Sequence, residues 1–131
     1  MNKKMSLPSM EHTFSINVQG TDTGRYYDGT FTYVRPNLHK KSEIAKMSSR
    51  LNEDLKTLPE DIVAFNYICA NLFFTITSFP DWWSEANYGR DLYDANVVYE
   101  IFKKVTDFEN DWQQRILNTE GEVLKKTNEK K

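Results

Sequence analysis

Cys69, His12 and His39 are the only side chains of their kinds in this chain, and they set the limits of nucleophilic or metal chemistry. A reactive cysteine needs a base to hold it as thiolate. Cys69 sits inside the apolar run Ile68-Cys69-Ala70-Asn71-Leu72, where a free cysteine acts as a small buried hydrophobe. His12 falls in an alternating, strand-like stretch and His39 at a helix start, so neither builds a cysteine–histidine pair by local spacing. No His/Cys/Asp grouping has zinc spacing. Paired carboxylates occur at Glu53-Asp54, Glu60-Asp61 and Glu109/Asp111. The first two flank helix ends, where acids cap and meet the positive dipole, and the third lies on a long helix beside Arg115. Gly20 and Gly24 belong to a hairpin connection with no helix after it, so they form no phosphate loop. The sequence therefore predicts no catalytic residues, no cofactor and no metal.

Aromatic residues are the alternative source of function. Phe79, Trp82, Trp83, Tyr88 and Tyr93 cluster after one hydrophobic segment. Trp and Tyr dominate interface hot spots because each buries much apolar area and keeps a polar handle. The same rings can also plug the end of a helical bundle. Adjacent residues on a turn point apart, so one of Trp82 and Trp83 is expected to be exposed as a partner contact.

The elements that position these rings follow from periodicity. Phe14, Ile16 and Val18 alternate with Thr13, Ser15, Asn17 and Gln19, the period of a strand. Gly20 to Gly24 supplies turn chemistry, and Phe31 and Tyr33 alternate with Thr30, Thr32 and Val34 on the return. The hairpin ends at Arg35-Pro36. Ile44, Met47, Leu51 and Leu55 then recur at helical spacing opposite Lys40, Lys41, Lys46 and Arg50. Leu58-Pro59-Glu60-Asp61 starts a second helix. Its apolar residues Ile62, Phe65, Ile68, Leu72 and Ile76, widened by Val63, Tyr67, Phe73 and Phe74, mark it as the central helix, ended by Ser78-Phe79-Pro80. Residues 84–93 read as a loop, with Asp91 or Asp94 capping a long helix from Ala95 to about Leu117. That helix carries Val98, Ile101, Val105, Phe108, Trp112 and Ile116 on one seam.

The 131 residues suit one domain, large enough to fold without a staple. The expected fold is α+β and mostly helical, an amino-terminal antiparallel hairpin packed on about three helices. Residues 1–10 read as a flexible leader, 11–120 as the domain, and 121–131 as a charged flexible tail. A net charge of −2, with lysines in the tails and among acidic neighbours, argues against nucleic-acid binding. No stretch reads as a membrane span or signal sequence. A single cysteine suits a reducing cytoplasm.

The order of these elements resembles the tail assembly chaperones of tailed bacteriophages. The matching residues are Gly29, Phe31, Arg35, Pro36, Ile44, Leu51, Ala64, Ile76, Pro80, Trp82 and Trp83, and the similarity covers roughly residues 29–120. The resemblance implies a non-enzymatic protein of the host cytoplasm that coats the tape-measure protein and helps tail-tube protein assemble around it. An amphipathic client helix would lie against the aromatic end, and the hairpin edge would serve self-association. The alternative is a virion structural protein: a small connector, decoration or tail subunit.

Overall fold

The computed structural model describes residues 8–53 and 57–129, from residue 119 onward as backbone only. Strands β1 (Glu11–Gln19) and β2 (Tyr26–Val34) form the hairpin, paired without a slip from Glu11 opposite Val34 to Gln19 opposite Tyr26. Its two faces follow the alternation. Phe14, Ile16, Tyr27, Phe31 and Tyr33 are buried. On the outer face Thr13 bonds Thr32 and Ser15 bonds Thr30 through their hydroxyls, a cross-strand ladder suited to water. Gly24, at φ +76°, takes the left-handed conformation that closes the connecting loop.

Helix α1 (Leu38–Leu51) begins at Asn37, whose side chain accepts from the Lys40 N–H. Ile44 is buried and Met47 and Leu51 are half-buried, as the spacing predicts; Leu55 lies outside the described residues. Helix α2 (Glu60–Thr75) follows Pro59 and carries Glu60 and Asp61 in its first turn.

Two expectations about α2 need correction. It ends at Thr75, and Ile76–Ser78 forms a strand, β3, antiparallel to β2. The sheet therefore has three strands in the order β1-β2-β3. The cause is local: Ile76 and Thr77 are β-branched, and Pro80 biases Phe79 toward extended backbone. The helical spacing Leu72 to Ile76 masks the change. Nor is α2 central along its whole length, because Ile62, Val63 and Tyr67 stay exposed and its burial is concentrated between Ile68 and Thr75.

After Pro80 comes a short helix, α3 (Asp81–Glu85), where the expected loop over 84–93 begins two residues late. Helix α4 runs from Ala95 to Glu129, beyond the expected end near Leu117 and through the segment read as a tail. Gly121 costs a helix interior only about 1 kcal/mol, less than is needed to stop it among good helix formers. The most deeply buried helical stretch is on α4: Val97, Val98, Ile101 and Val105 pack on the sheet with Phe31, Leu72, Ile76 and Trp83. Phe108, Trp112 and Ile116 are only half-buried. Packing therefore fades as α4 leaves the domain. The α+β class holds, with a third strand and a fourth helix. No described helix is long and apolar enough to cross a membrane.

Candidate functional site

Pro80 turns the chain sharply beneath the hairpin. A Cβ on Gly29 would come within 2.6 Å of the Pro80 ring, so only glycine admits this approach. The turn sends the two tryptophans apart. Trp83 is fully buried, edge-on to Phe31 at 5.7 Å between ring centres. It lies against Gly89, where a Cβ would meet its ring at 2.5 Å and where φ is +89°. Asn87 and Tyr88 also adopt positive φ, an uncommon run that folds the chain over Trp83. The Trp83 indole N–H has no hydrogen-bond partner among the described residues.

Trp82 is half-buried instead. Its indole N–H donates to the Asp28 carbonyl at 2.9 Å, and its ring meets Tyr27 edge-on at 5.0 Å. Trp83 is thus the plug, while Trp82 is half-buried rather than exposed as the expected partner contact.

The five predicted aromatics separate into three settings. Trp82 and Tyr93 line one cleft of about 540 Å³ together with Tyr27, a size that suits a ligand or a partner's side chains. Tyr93 is 81% exposed. Phe79 and Tyr88 stack edge-on with each other at 5.7 Å, and Tyr88 meets Phe73 at 5.0 Å; this ridge lies outside the cleft lining. Trp83 supports from below. The cleft also gathers Arg25 and Glu85, which no sequence pattern marked, and Asp91, which was expected only as a candidate helix cap. Tyr27 shares the inward parity of Phe31 and Tyr33 on β2, whereas Arg25 arrives through a non-local tie that has no sequence pattern.

That tie is Asp94. Its fully buried carboxylate accepts from the backbone N–H groups of Asp22 at 2.7 Å and Thr23 at 2.9 Å, and from the hydroxyls of Thr23 and Tyr27. The Thr23 hydroxyl, ahead of the backbone donors and against the effect of burial, holds the Asp94 carboxyl below the usual carboxylate range. A Cβ on Gly20 would lie 2.2 Å from this carboxylate, so glycine makes room for it. Asn96 completes the joint, accepting from the Thr21 N–H and donating to the Gln19 carbonyl. The expected capping role of Asp94 is therefore corrected. Its backbone carbonyl accepts the Val97 N–H at 3.0 Å, while its side chain serves the hairpin loop.

The open end of the hairpin is fastened to α4 differently. Arg35 bonds both Glu109 oxygens through Nε, at 2.9 and 3.0 Å, and its guanidinium stacks 3.7 Å from the Trp112 ring centre. Tyr33 donates its hydroxyl to Glu109; burial first, and this carboxylate second, raise the Tyr33 pKa well above the usual phenol value. Glu109 is thus a fastening group, and Asp111 pairs with Arg115 at 3.1 Å.

The remaining candidates for chemistry are placed plainly. Cys69 is buried, and burial pushes its thiol up to about 11, which keeps it protonated at neutral pH. His12 stacks on Phe108 at 4.7 Å. Among the described residues no three His, Cys, Asp or Glu side chains gather to hold a metal. Asp54 of the Glu53-Asp54 pair lies outside them. What the arrangement offers chemically is recognition, by rings with charged neighbours. No protein-family model, no curated protein and no solved structure matches this chain.

Proposed function

We propose that this chain is a non-enzymatic partner-binding protein, and that it acts as a tail assembly chaperone for a phage tape-measure protein in the host cytoplasm. One observation carries the partner-binding part: Trp82 and the exposed Tyr93 share a cleft whose walls are held by a buried network. A preformed aromatic surface loses little freedom on binding, which favours modest contacts repeated along a rod-like client. The identity of the client rests on the resemblance in element order over residues 29–120. Co-expression tests it: the tape-measure protein stays soluble and co-purifies with this chain, and Tyr93→Ala reduces that capture. An insoluble tape-measure protein despite abundant folded chain contradicts the reading.

The edge position of β1 favours a second reading. It is a nine-residue strand at one side of the sheet, long enough to pair with another copy or a neighbouring subunit. A virion structural protein would use it and remain in the particle. Quantifying the chain in purified particles and in infected-cell lysate separates the two, since a chaperone is abundant in lysate and missing from particles.

A further inference from the structure

We infer that the cleft between the hairpin loop and α3 takes a lysine or arginine side chain of a partner polypeptide, its charged head between the aromatic faces and the carboxylates of Glu85 and Asp91. This rests on the partner-binding reading and names the chemistry of what binds.

Three observations lead there. First, the cleft carries Tyr27, Trp82 and Tyr93, and the faces of such rings carry the negative end of a quadrupole that attracts cations. Second, among the described residues the cation–ring contacts are Arg35 on Trp112 and Lys40 on Phe74, and neither involves a ring of the cleft. Third, Glu85 and Asp91 make no side-chain hydrogen bond or ion pair among the described residues. Two carboxylates stand against one guanidinium, Arg25. A purely apolar anchor would desolvate these carboxylates without compensation. A cationic side chain lays its apolar stem on the rings and gives the carboxylates a partner. The opposing charge of Arg25 lends the inference a sign: removing it strengthens binding, whereas removing either carboxylate weakens it.

The test is an NMR titration of the full-length chain with a hexalysine peptide, and in parallel with hexaglutamate, at low salt. Hexalysine is expected to shift the Trp82 indole and the Tyr93 amide in a saturable way, and hexaglutamate to leave both unmoved. Glu85→Gln and Asp91→Asn each weaken hexalysine up to about fivefold, the range of an exposed ion pair, and Arg25→Gln tightens it. Equal shifts with hexaglutamate, shifts spread away from the cleft, or unchanged affinity in the variants overturn the inference. Should a carboxylate variant lose its dispersed spectrum, Arg25→Gln decides alone: tighter binding supports the inference and unchanged or weaker binding overturns it. If Tyr93→Ala loses tape-measure capture while hexalysine ignores Arg25→Gln, only the charge inference fails. Tape-measure protein left insoluble, with hexalysine obeying these signs, removes the named client and leaves the cleft chemistry standing.

Discussion

The two ends of the hairpin are each fastened by a tyrosine to a carboxylate, one just before α4 and one on it, and the two fastenings differ in burial and charge. At the loop end Tyr27 and the loop backbone donate to Asp94; at the open end Tyr33 and Arg35 donate to Glu109. The spacings agree. Asp94 and Glu109 are fifteen positions apart, about 22 Å along a helix, and Tyr27 and Tyr33 are six apart, about 20 Å along a strand. Asp94 itself is fully buried and accepts from neutral donors of a part-buried loop, whereas the Arg35–Glu109 pair leaves its side chains 20% and 26% accessible. A buried carboxylate whose two oxygens both accept hydrogen bonds fixes geometry. An ion pair near water contributes less and is screened by salt. The cleft stands at the Asp94 end, and on the partner-binding proposal this joint is what preforms its surface.

The comparison can be broken most forcefully at its centre. Trp83→Ala removes the plug under the cleft, and a fully buried tryptophan costs about 3–5 kcal/mol on truncation, read as a fall in the urea midpoint. Next, Asp94→Asn removes the charge and one acceptor oxygen, so the hydroxyls of Thr23 and Tyr27 and the two loop N–H groups no longer all donate to it. It is expected to lower the melting temperature more than Glu109→Gln, for which the partial exposure limits the loss to about 1 kcal/mol. A larger loss for Glu109→Gln reverses the ranking of the two joints.

pH separates the same pair. The folded state prefers ionised Asp94, so its contribution is present above the ordinary carboxylate pKa of about 4 and is lost as pH falls through the lowered folded value. The acid limb of the stability curve is therefore shallower in Asp94→Asn. Tyr33 has the opposite sign: its raised pKa gives a contribution that is full below about pH 10 and declines above it. Tyr33→Phe flattens that alkaline limb. Thermal melts across pH check both. A loss comparable with that of Glu109→Gln, about 1 kcal/mol, is expected for Trp82→Phe, which keeps an aromatic ring but loses the indole N–H and its bond to the Asp28 carbonyl.

The sequence made the hairpin legible because its two faces differ residue by residue, with Thr and Ser opposite each other outside and Phe and Tyr inside. The starts of α2 and α4 were legible from Pro59 and the apolar seam beginning at Val98, whereas Asn37 as the cap of α1 was not read from the sequence. The third strand was hidden because Ile76 fits both the helical spacing of α2 and the strand that replaces it. The exposure of Ile62 and Val63 was hidden too, since periodicity identifies an apolar face without saying what covers it. The aromatic cluster was visible as a group, yet only the fold sorted Trp82 and Tyr93 into a cleft and Trp83 beneath it. The joints at Asp94 and Glu109 join residues some seventy positions apart, and no local pattern records such pairs.

The central claim is that the cleft rings bind a partner while the plug maintains the fold. Side-by-side measurement of melting temperature and tape-measure capture for Tyr93→Ala and Trp83→Ala tests it most directly. Tyr93 is 81% exposed, so its truncation is predicted to change stability by no more than about 0.5 kcal/mol and still to abolish most capture. Trp83→Ala loses stability first. Full capture by a stable Tyr93→Ala chain would contradict the account.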